Sequence, residues 1–474
     1  MTTLIAVYLV VLALAIGGFV LGQFLRGKHD LITTRNTFLF SIVFFQVTSA
    51  AFPLFHGEHW QYTLSDRDSV ALRYAFMLTA FLAIFMVTYS WGPGVKRLAR
   101  RAKTTVWDID GGALIVLAVI AIAVGSALRF AVNIPLVGVL SNFIGSSMTA
   151  IGAGLAGWYW GRRMFNPAAI TIAGGIVLFA IAVNLVGEFG RRPLVSAAGC
   201  FLFGAYFSAW RYRRPVGVLF RFAVAAIPAL LLFGAFTSIR TIDRGAQGLG
   251  DRVQALRSSG NATAGLMTEL DGQQTGTVSL WLVDHYNQNP EDVRPFWMGE
   301  YFLTFPIPRT IWTEKPLPLS ISIPEIAGLR GVAVGSHTVG PGIMGHSAAD
   351  GGTLPLIVYA VGFGLLFRYC DERLRGNPYS PLAVLPIGST LGQLLGMARG
   401  ETSIFLFIFV FSTFSVLFLM RMVATFFAPA TIVRVQDVPA VLGVDRPEWE
   451  HEEPGDDEWY DEAEQGAGYR SAAT

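Results

Sequence analysis

Apolar and polar positions alternate along this chain in long blocks rather than residue by residue. Apolar runs of spanning length recur at roughly 4–25, 36–55, 73–92, 112–132, 136–158, 167–187, 193–210, 215–238, 353–369, 380–398 and 402–425. A helix of about 20 residues matches the hydrocarbon thickness of a bilayer. Inside lipid every backbone amide must be satisfied within its own segment, so the runs predict helices and not open strands. The expected fold is therefore all-α, a polytopic membrane protein with about 11 transmembrane helices.

The breaks between the runs carry a second pattern. Basic clusters fall at Arg26, Lys28 and Arg35; at Lys96, Arg97, Arg100, Arg101 and Lys103; at Arg162 and Arg163; at Arg211, Arg213 and Arg214; and at Arg368, Arg373 and Arg375. They occupy every second connection, as expected when Lys and Arg are retained on the cytoplasmic side. This predicts an outside N-terminus, a cytoplasmic C-terminus and one long outer loop. Four segments follow: 1–237 with helices 1–8, 238–352 as the outer loop, 353–426 with helices 9–11, and 427–474 as a tail. The first run lacks a basic leader and a convincing cleavage site, so it is expected to remain as a helix.

The outer loop has texture of its own. Residues around 240–266 are polar with room for a short helix, and 277–286 space their apolar residues helically. The 296–312 stretch mixes aromatics with Pro306, Pro308 and Arg309, which suits an interfacial or re-entrant segment. Loops of this length usually carry function. No internal repeat of the inverted-transporter kind is visible.

Composition reinforces the membrane reading: 53% of residues are hydrophobic and 14% charged, against roughly a quarter charged in soluble chains. The net charge of +2 conceals an asymmetry. Twelve acids and two arginines lie between Asp437 and Thr474, leaving 33 basic and 21 acidic residues elsewhere. The tail reads as solvated and disordered, and the basic body suits anionic lipid or an anionic lipid-linked substrate. Cys200 falls inside an apolar run and Cys370 at the cytoplasmic end of another; neither sits in the outer loop, so no structural disulfide is indicated.

Three constellations can carry chemistry. In Pro308-Arg309-Thr310-Ile311-Trp312-Thr313-Glu314-Lys315-Pro316, two cations flank an aromatic ring between stiffening prolines. Arg309 and Lys315 can hold a pyrophosphate, and Trp312 can contact a sugar face or the interface; snorkelling cations beside a belt residue are the plain alternative. Next, Glu188, Arg191 and Arg192 at the outer end of the sixth span, with Arg399 and Arg129, run against the charge bias. They can converge on a polyanion, or contact headgroups, or pair locally, Arg191 or Arg192 with Glu188 and Arg399 with Glu401. Arg129 reads best as such a headgroup contact or local pair. The third is the Gly-rich 335–352 stretch with His337, His346 and Asp350, where a His beside a carboxylate can activate a hydroxyl. Solvated turn residues are the alternative there, and Asp284-His285 is a weaker pair of the same kind. There is no HExxH, CxxC pair, GxxxxGK[ST] or GxSxG, so no zinc, redox, ATP or serine-hydrolase signature and no cofactor is expected.

The Pro308-Arg309…Trp312-x-x-Lys315-Pro316 segment resembles that of the Wzy-type O-antigen polymerases, the oligosaccharide repeat-unit polymerases. About eleven helices, a long outer loop and outward arginines resemble them too. The resemblance implies a multi-pass glycosyltransferase of the bacterial inner membrane. It would transfer a growing glycan from undecaprenyl pyrophosphate to a sugar hydroxyl of the next lipid-linked repeat unit on the periplasmic face. Arg309 and Lys315 would bind pyrophosphate, Arg191 and Arg399 would assist, Trp312 would contact sugar or interface, and no metal would be needed. His346 stands where relatives place a carboxylate, which leaves His346, Asp350 and Glu188 as candidate bases. Implied partners are the lipid-linked oligosaccharide, membrane lipids, a chain-length regulator and a flippase, with no nucleic acid. Two rival readings remain. His346-Ser347 followed by Gly351-Gly352 partly fits an O-antigen-ligase-like transferase, and a lipid-linked sugar transporter would place more charge deep in its spans.

Overall fold

A computed structural model describes residues 1–56, 63–101, 103–106, 110–130, 137–187, 191–227, 275–328, 338–376, 380–427 and 431–434. The polar 240–266 stretch, His337 and the acidic tail beyond 434 lie outside the described residues. In chain order the helices are α1 (Thr2–Leu25), α2 (Thr34–Ile42), α3 (Ser49–His56), α4 (Arg67–Ser90), α5 (Pro93–Arg101), α6 (Gly111–Phe130), α7 (Val137–Gly161), α8 (Pro167–Gly187) and α9 (Arg191–Ser208). They continue as α10 (Pro215–Ile227), α11 (Thr275–Gln288), α12 (Trp297–Thr304), α13 (Leu319–Ile326), α14 (Gly342–Ala349) and α15 (Thr353–Gly376). Last come α16 (Pro381–Gly388), α17 (Leu391–Met397) and α18 (Thr402–Phe427).

Among the described residues, eight helices are long and apolar enough to cross a membrane: α1, the α2–α3 unit, α4, α6, α7, α8, α15 and α18. The protein is therefore an all-helical multi-pass membrane protein, with one small exception. Strands β1 (Lys103–Val106) and β2 (Thr431–Arg434) form an antiparallel ladder with Lys103 opposite Arg434. Their runs are too short for an alternating pattern to register in the sequence.

Three further apolar helices are described over 10–17 residues each: Leu194–Ser208, Pro215–Ile227 and Pro381–Met397. The last divides into α16 and α17. Ser389 Oγ and Thr390 Oγ1 donate to the carbonyls of Pro386 and Ile387 at 2.8 and 3.0 Å. Those hydroxyls compete with the helical ladder, and Pro386 removes one further amide from it. A different interruption joins α2 to α3, where Val43–Thr48 widen into a π turn. That turn directs Gln46 inward. Its Oε1 accepts from Tyr74 Oη at 2.8 Å while its Nε2 donates to the Ala398 carbonyl at 2.6 Å.

Burial separates central from peripheral helices. Within their most apolar stretches, 67% of α7 is buried but only 17% of α1 and 22% of α8. The latter two therefore present apolar faces outward, as lipid contact requires. Small residues let the centre close. A Cβ on Gly157 of α7 would sit 2.0 Å from the Phe201 carbonyl of α9, so the two backbones touch. Between α2, α4 and α15, Phe38 packs against Phe81, Phe85, Phe363 and Phe367 with ring centroids 4.9–6.3 Å apart.

Polar contacts collect at two ends of the bundle. At one end Asp30 accepts from Tyr206 Oη and Arg211 Nε, both at 2.8 Å. Beside it, Asp371 accepts from Thr34 N at 2.7 Å and Tyr89 Oη at 2.8 Å. At the other end the Ser65 amide and hydroxyl donate to Asp284 at 2.7 and 2.6 Å. There, too, the 398–400 turn meets residues 340–342. Residues from alternate connections thus gather separately, and the β1–β2 ladder brings the start of the C-terminal segment beside the connection after α5.

The 238–352 segment is not a detached domain. Helix α11 is buried along most of its length, and all eight residues of α14 are buried. Gly342 begins α14 at φ +61, where a Cβ would lie 2.0 Å from Gln46 Nε2 and 2.6 Å from the Ala398 carbonyl. Gly342→Ala is expected to lose at least about 1–2 kcal/mol from the left-handed backbone alone, before any clash. Its apparent melting temperature in detergent should fall well below that of Gly352→Ala, which shares positive φ but meets open space.

Candidate functional site

The best-formed polar centre lies where α14, the 398–401 turn and the loop before α13 meet. The chain enters it through Gly340, whose missing Cβ allows the Arg399 carbonyl to approach, and Gly342, whose amide donates to the Gly400 carbonyl at 3.2 Å. The Gly-rich stretch therefore brings backbone against backbone. Ser279 Oγ holds the Pro341 carbonyl at 2.7 Å, and Thr275 Oγ1 holds that of Arg399 at 3.3 Å.

At this junction His346 is buried, and its Nε2 lies 2.9 Å from Glu401 Oε1. Glu401 stands immediately before α18, where helix-end amides favour negative charge. Its carboxylate also accepts from the Ser320 amide and Ser403 Oγ, both at 2.8 Å. Burial alone would pull the imidazole pKa down, but the Glu401 charge outweighs it and raises it above the ordinary 6.5. Burial likewise pushes Glu401 up, yet His346 and the two donors hold it below its ordinary 4.5. The two opposite shifts both favour the imidazolium–carboxylate form of the pair.

Asp350 closes α14 one turn after His346 and is also buried. Its Oδ2 accepts from the Met298 amide at 3.1 Å and from the Tyr359 hydroxyl. Burial raises its pKa above the usual carboxylate value. Besides His346 Nε2, which reaches Glu401 as an ion pair but not in hydrogen-bond geometry, two buried atoms in this group have no hydrogen-bond partner: His346 Nδ1 and Asp350 Oδ1. With His346 protonated, one is a donor and the other an acceptor. Unmatched buried polar atoms cost about 1–3 kcal/mol each, so a ligand that pairs them gains by doing so.

The Pro308–Pro316 loop sits in electrostatic range of this centre. Burial raises the Tyr301 pKa, Glu401 adds to the rise, and Arg309 opposes it. Lys315 is buried; its Nζ donates to the Phe305 and Ile307 carbonyls at 2.8 and 3.0 Å and lies 5.2 Å from the Tyr301 ring centre. Burial, then the Arg309 charge, lower its pKa. Two of its three N–H donors are thereby taken by its own loop. Arg309 is exposed and donates through Nη1 and Nη2 to the Lys315 and Pro316 carbonyls at 2.8 and 3.1 Å. It closes the loop with one edge of the guanidinium and keeps other N–H groups outward. Trp312 is 37% exposed beside exposed Ile311, at the rim.

Of the residues singled out from sequence, His346, Asp350, Lys315 and Arg309 therefore share one neighbourhood. Arg399 adjoins it, its guanidinium 5.5 Å from the Phe45 ring centre, and Glu401, two residues on, lies 2.9 Å from His346 Nε2. Glu188 and the Arg191 side chain lie outside the described residues. Arg129 is buried and donates to Asn142 Oδ1 at 3.1 Å and Asn184 Oδ1 at 2.6 Å, which answers its unusual position by local pairing. Asp284 serves Ser65 and Gln288, and His285 lies 3.1 Å from Asp292. Sequence reasoning missed Glu401 as a site residue. Its signal was present, a lone acid in a three-residue turn between two apolar runs. Among the described residues no group of three or more His, Cys, Asp or Glu is placed to hold a metal. Both cysteines are free and buried.

No family model, curated protein or solved structure matches the chain.

Proposed function

We propose that this protein is a glycan polymerase that joins lipid-linked oligosaccharide repeat units at the outer face of a bacterial inner membrane. The observation that carries it is the buried His346–Glu401–Asp350 group with one unmatched donor and one unmatched acceptor, beside the outward Arg309 edge. A polyprenyl pyrophosphate leaving group needs its charge neutralised, and the attacking sugar hydroxyl needs a proton acceptor. Arg309 supplies the first, with Lys315 shaping its loop and Arg399 and Arg191 adding positive charge. The imidazolium of His346 suits donation to an oxygen. Asp350 Oδ1 suits acceptance from a hydroxyl, which moves the base role towards Asp350 while His346 remains its rival. Trp312 offers a face for a sugar or for the interface. The leaving group drives the reaction, so no cofactor is required.

In this reading eleven spans cross the membrane, the N-terminus and the His346 end face outward, and the basic Asp30–Arg375 end and the acidic tail face the cytoplasm. The alternation of basic connections supports that orientation. Its resemblance through Pro308–Pro316 supports the substrate class, and a chain-length regulator and a flippase would be its partners.

A deletion strain tests the reaction. Loss of a polymerase leaves single repeat units on the surface lipid, whereas loss of a ligase leaves long chains on the carrier. Complementation with His346→Ala is expected to cut polymer yield per molecule at least about tenfold, within the range of a lost proton-transfer group. Asp350→Asn should cost at least as much. Wild-type rates in both variants would remove this group from the reaction.

A further inference from the structure

Away from His346, at the opposite end of the bundle, the described residues enclose a second candidate site. A cavity of about 350 Å³ opens there between the end of α1 and the start of α10, lined by Lys28, His29, Asp30, Arg211, Arg213 and Arg375. Its charge is unbalanced. Asp30, the one acid in the lining, is already bonded to Arg211 and Tyr206. His29 contacts Arg375; burial and then the Arg375 charge lower its pKa to about 3, so it is neutral at physiological pH. Arg375 lies 3.5 Å from Glu372, which Arg368 also engages at 2.9 Å. Lys28 and Arg213 are exposed, and neither has an acidic partner among the described residues.

The remaining walls are apolar. Phe24, Tyr206 and Pro215 line the same cavity. The two helices meeting at its rim turn Leu21, Leu25, Val216 and Phe220 outward, all at least 39% exposed. Cations around a hollow, with apolar helix faces leading away from it, fit an amphiphile with an anionic head. Arg and Lys bind phosphate strongly, and the cytoplasmic leaflet supplies anionic headgroups.

We propose that this cavity binds the phosphate of an anionic phospholipid whose acyl chains lie along α1 and α10. Lys28 and Arg213 meet the phosphate from the open side, and Arg375 meets it from the buried side with its orientation set by His29 and Glu372. The site is independent of the glycan reaction, and its loss would not abolish the outer centre.

The test is native mass spectrometry of the full-length protein in neutral detergent, titrated with phosphatidylglycerol, phosphatidylcholine or inorganic phosphate. Saturable retention of one or two phosphatidylglycerol molecules is expected, with at least about tenfold weaker retention of phosphatidylcholine. Lys28→Glu with Arg213→Glu should weaken phosphatidylglycerol retention at least about tenfold. Lys96→Glu with Arg97→Glu, an equal charge change on α5 outside the cavity, should leave it within about twofold. Equal retention of the two lipids, or equal losses in the two double variants, would overturn the site. Saturable binding of inorganic phosphate as tight as that of phosphatidylglycerol would overturn the lipid assignment. A melting curve for each variant checks that the fold persists.

Discussion

Arg309→Ala is expected to abolish polymer formation in a complemented deletion strain while protein level and membrane insertion stay normal. The guanidinium is exposed, so removing it opens no cavity in the core. Its structural duty is limited to two bonds to the Lys315 and Pro316 carbonyls. Removing one donor that stabilises developing negative charge costs roughly 10²–10³ in rate, enough to leave only single repeat units on a glycan ladder. Arg309→Lys separates charge from geometry. Lysine keeps the positive charge but cannot hold two carbonyls with one edge and a phosphate with another, so partial, shortened chains are expected. Unchanged chain lengths in the alanine variant would count decisively against a pyrophosphate role for this loop.

A second large effect is expected on stability. Glu401→Gln keeps the shape of the side chain but replaces one accepting oxygen with an NH2 donor and leaves buried His346 without its counter-charge. Breaking a buried pair from one side costs about 3–5 kcal/mol when the other charge persists. The cost has a defined pH dependence. His346 has a raised folded pKa, so its stabilisation is complete below its ordinary 6.5 and is lost as pH rises through the raised value. Glu401 has a lowered one, so its share is complete above 4.5 and is lost as pH falls through the lowered value. The gap in melting temperature between wild type and Glu401→Gln should therefore be widest between about pH 4.5 and 6.5 and shrink on the alkaline side. A gap that stays constant from pH 5 to pH 9 would mean that the pair is not ionised. His346→Gln with Glu401→Gln should recover part of the loss, because the lone buried charge is gone.

These two positions differ in how far the sequence disclosed them. Arg309 stood out because its segment combines prolines, aromatic residues and cations in a pattern that can be read along the chain. Glu401 did not, because the nearest basic residue in sequence is Arg399, and local pairing is the natural first assumption. Its ion-pair partner His346 is fifty-five positions away, brought there by glycines 340 and 342 closing on the 398–400 turn. Lys315 shows the same limit from the other side. Its charge is evident in the sequence, but its commitment to the Phe305 and Ile307 carbonyls depends on how the loop folds back. The break at Ser389–Thr390 was also hidden, since a hydropathy run registers apolarity and not the hydroxyl groups that interrupt its helix.

The long apolar runs determined by themselves that this is a multi-pass helical membrane protein, because a backbone in lipid has few ways to satisfy its amides. The residues between the runs also marked the segment from 296 to 352 as the one richest in candidate site residues. Tertiary structure alone decided that this segment is built into the core, that His346 is paired with Glu401, and that Asp350 retains an open oxygen. Span length and charge alternation are local properties that any stretch of chain displays. Burial and pairing depend on which distant stretches pack together, and close packing fixes that only when the whole chain has folded.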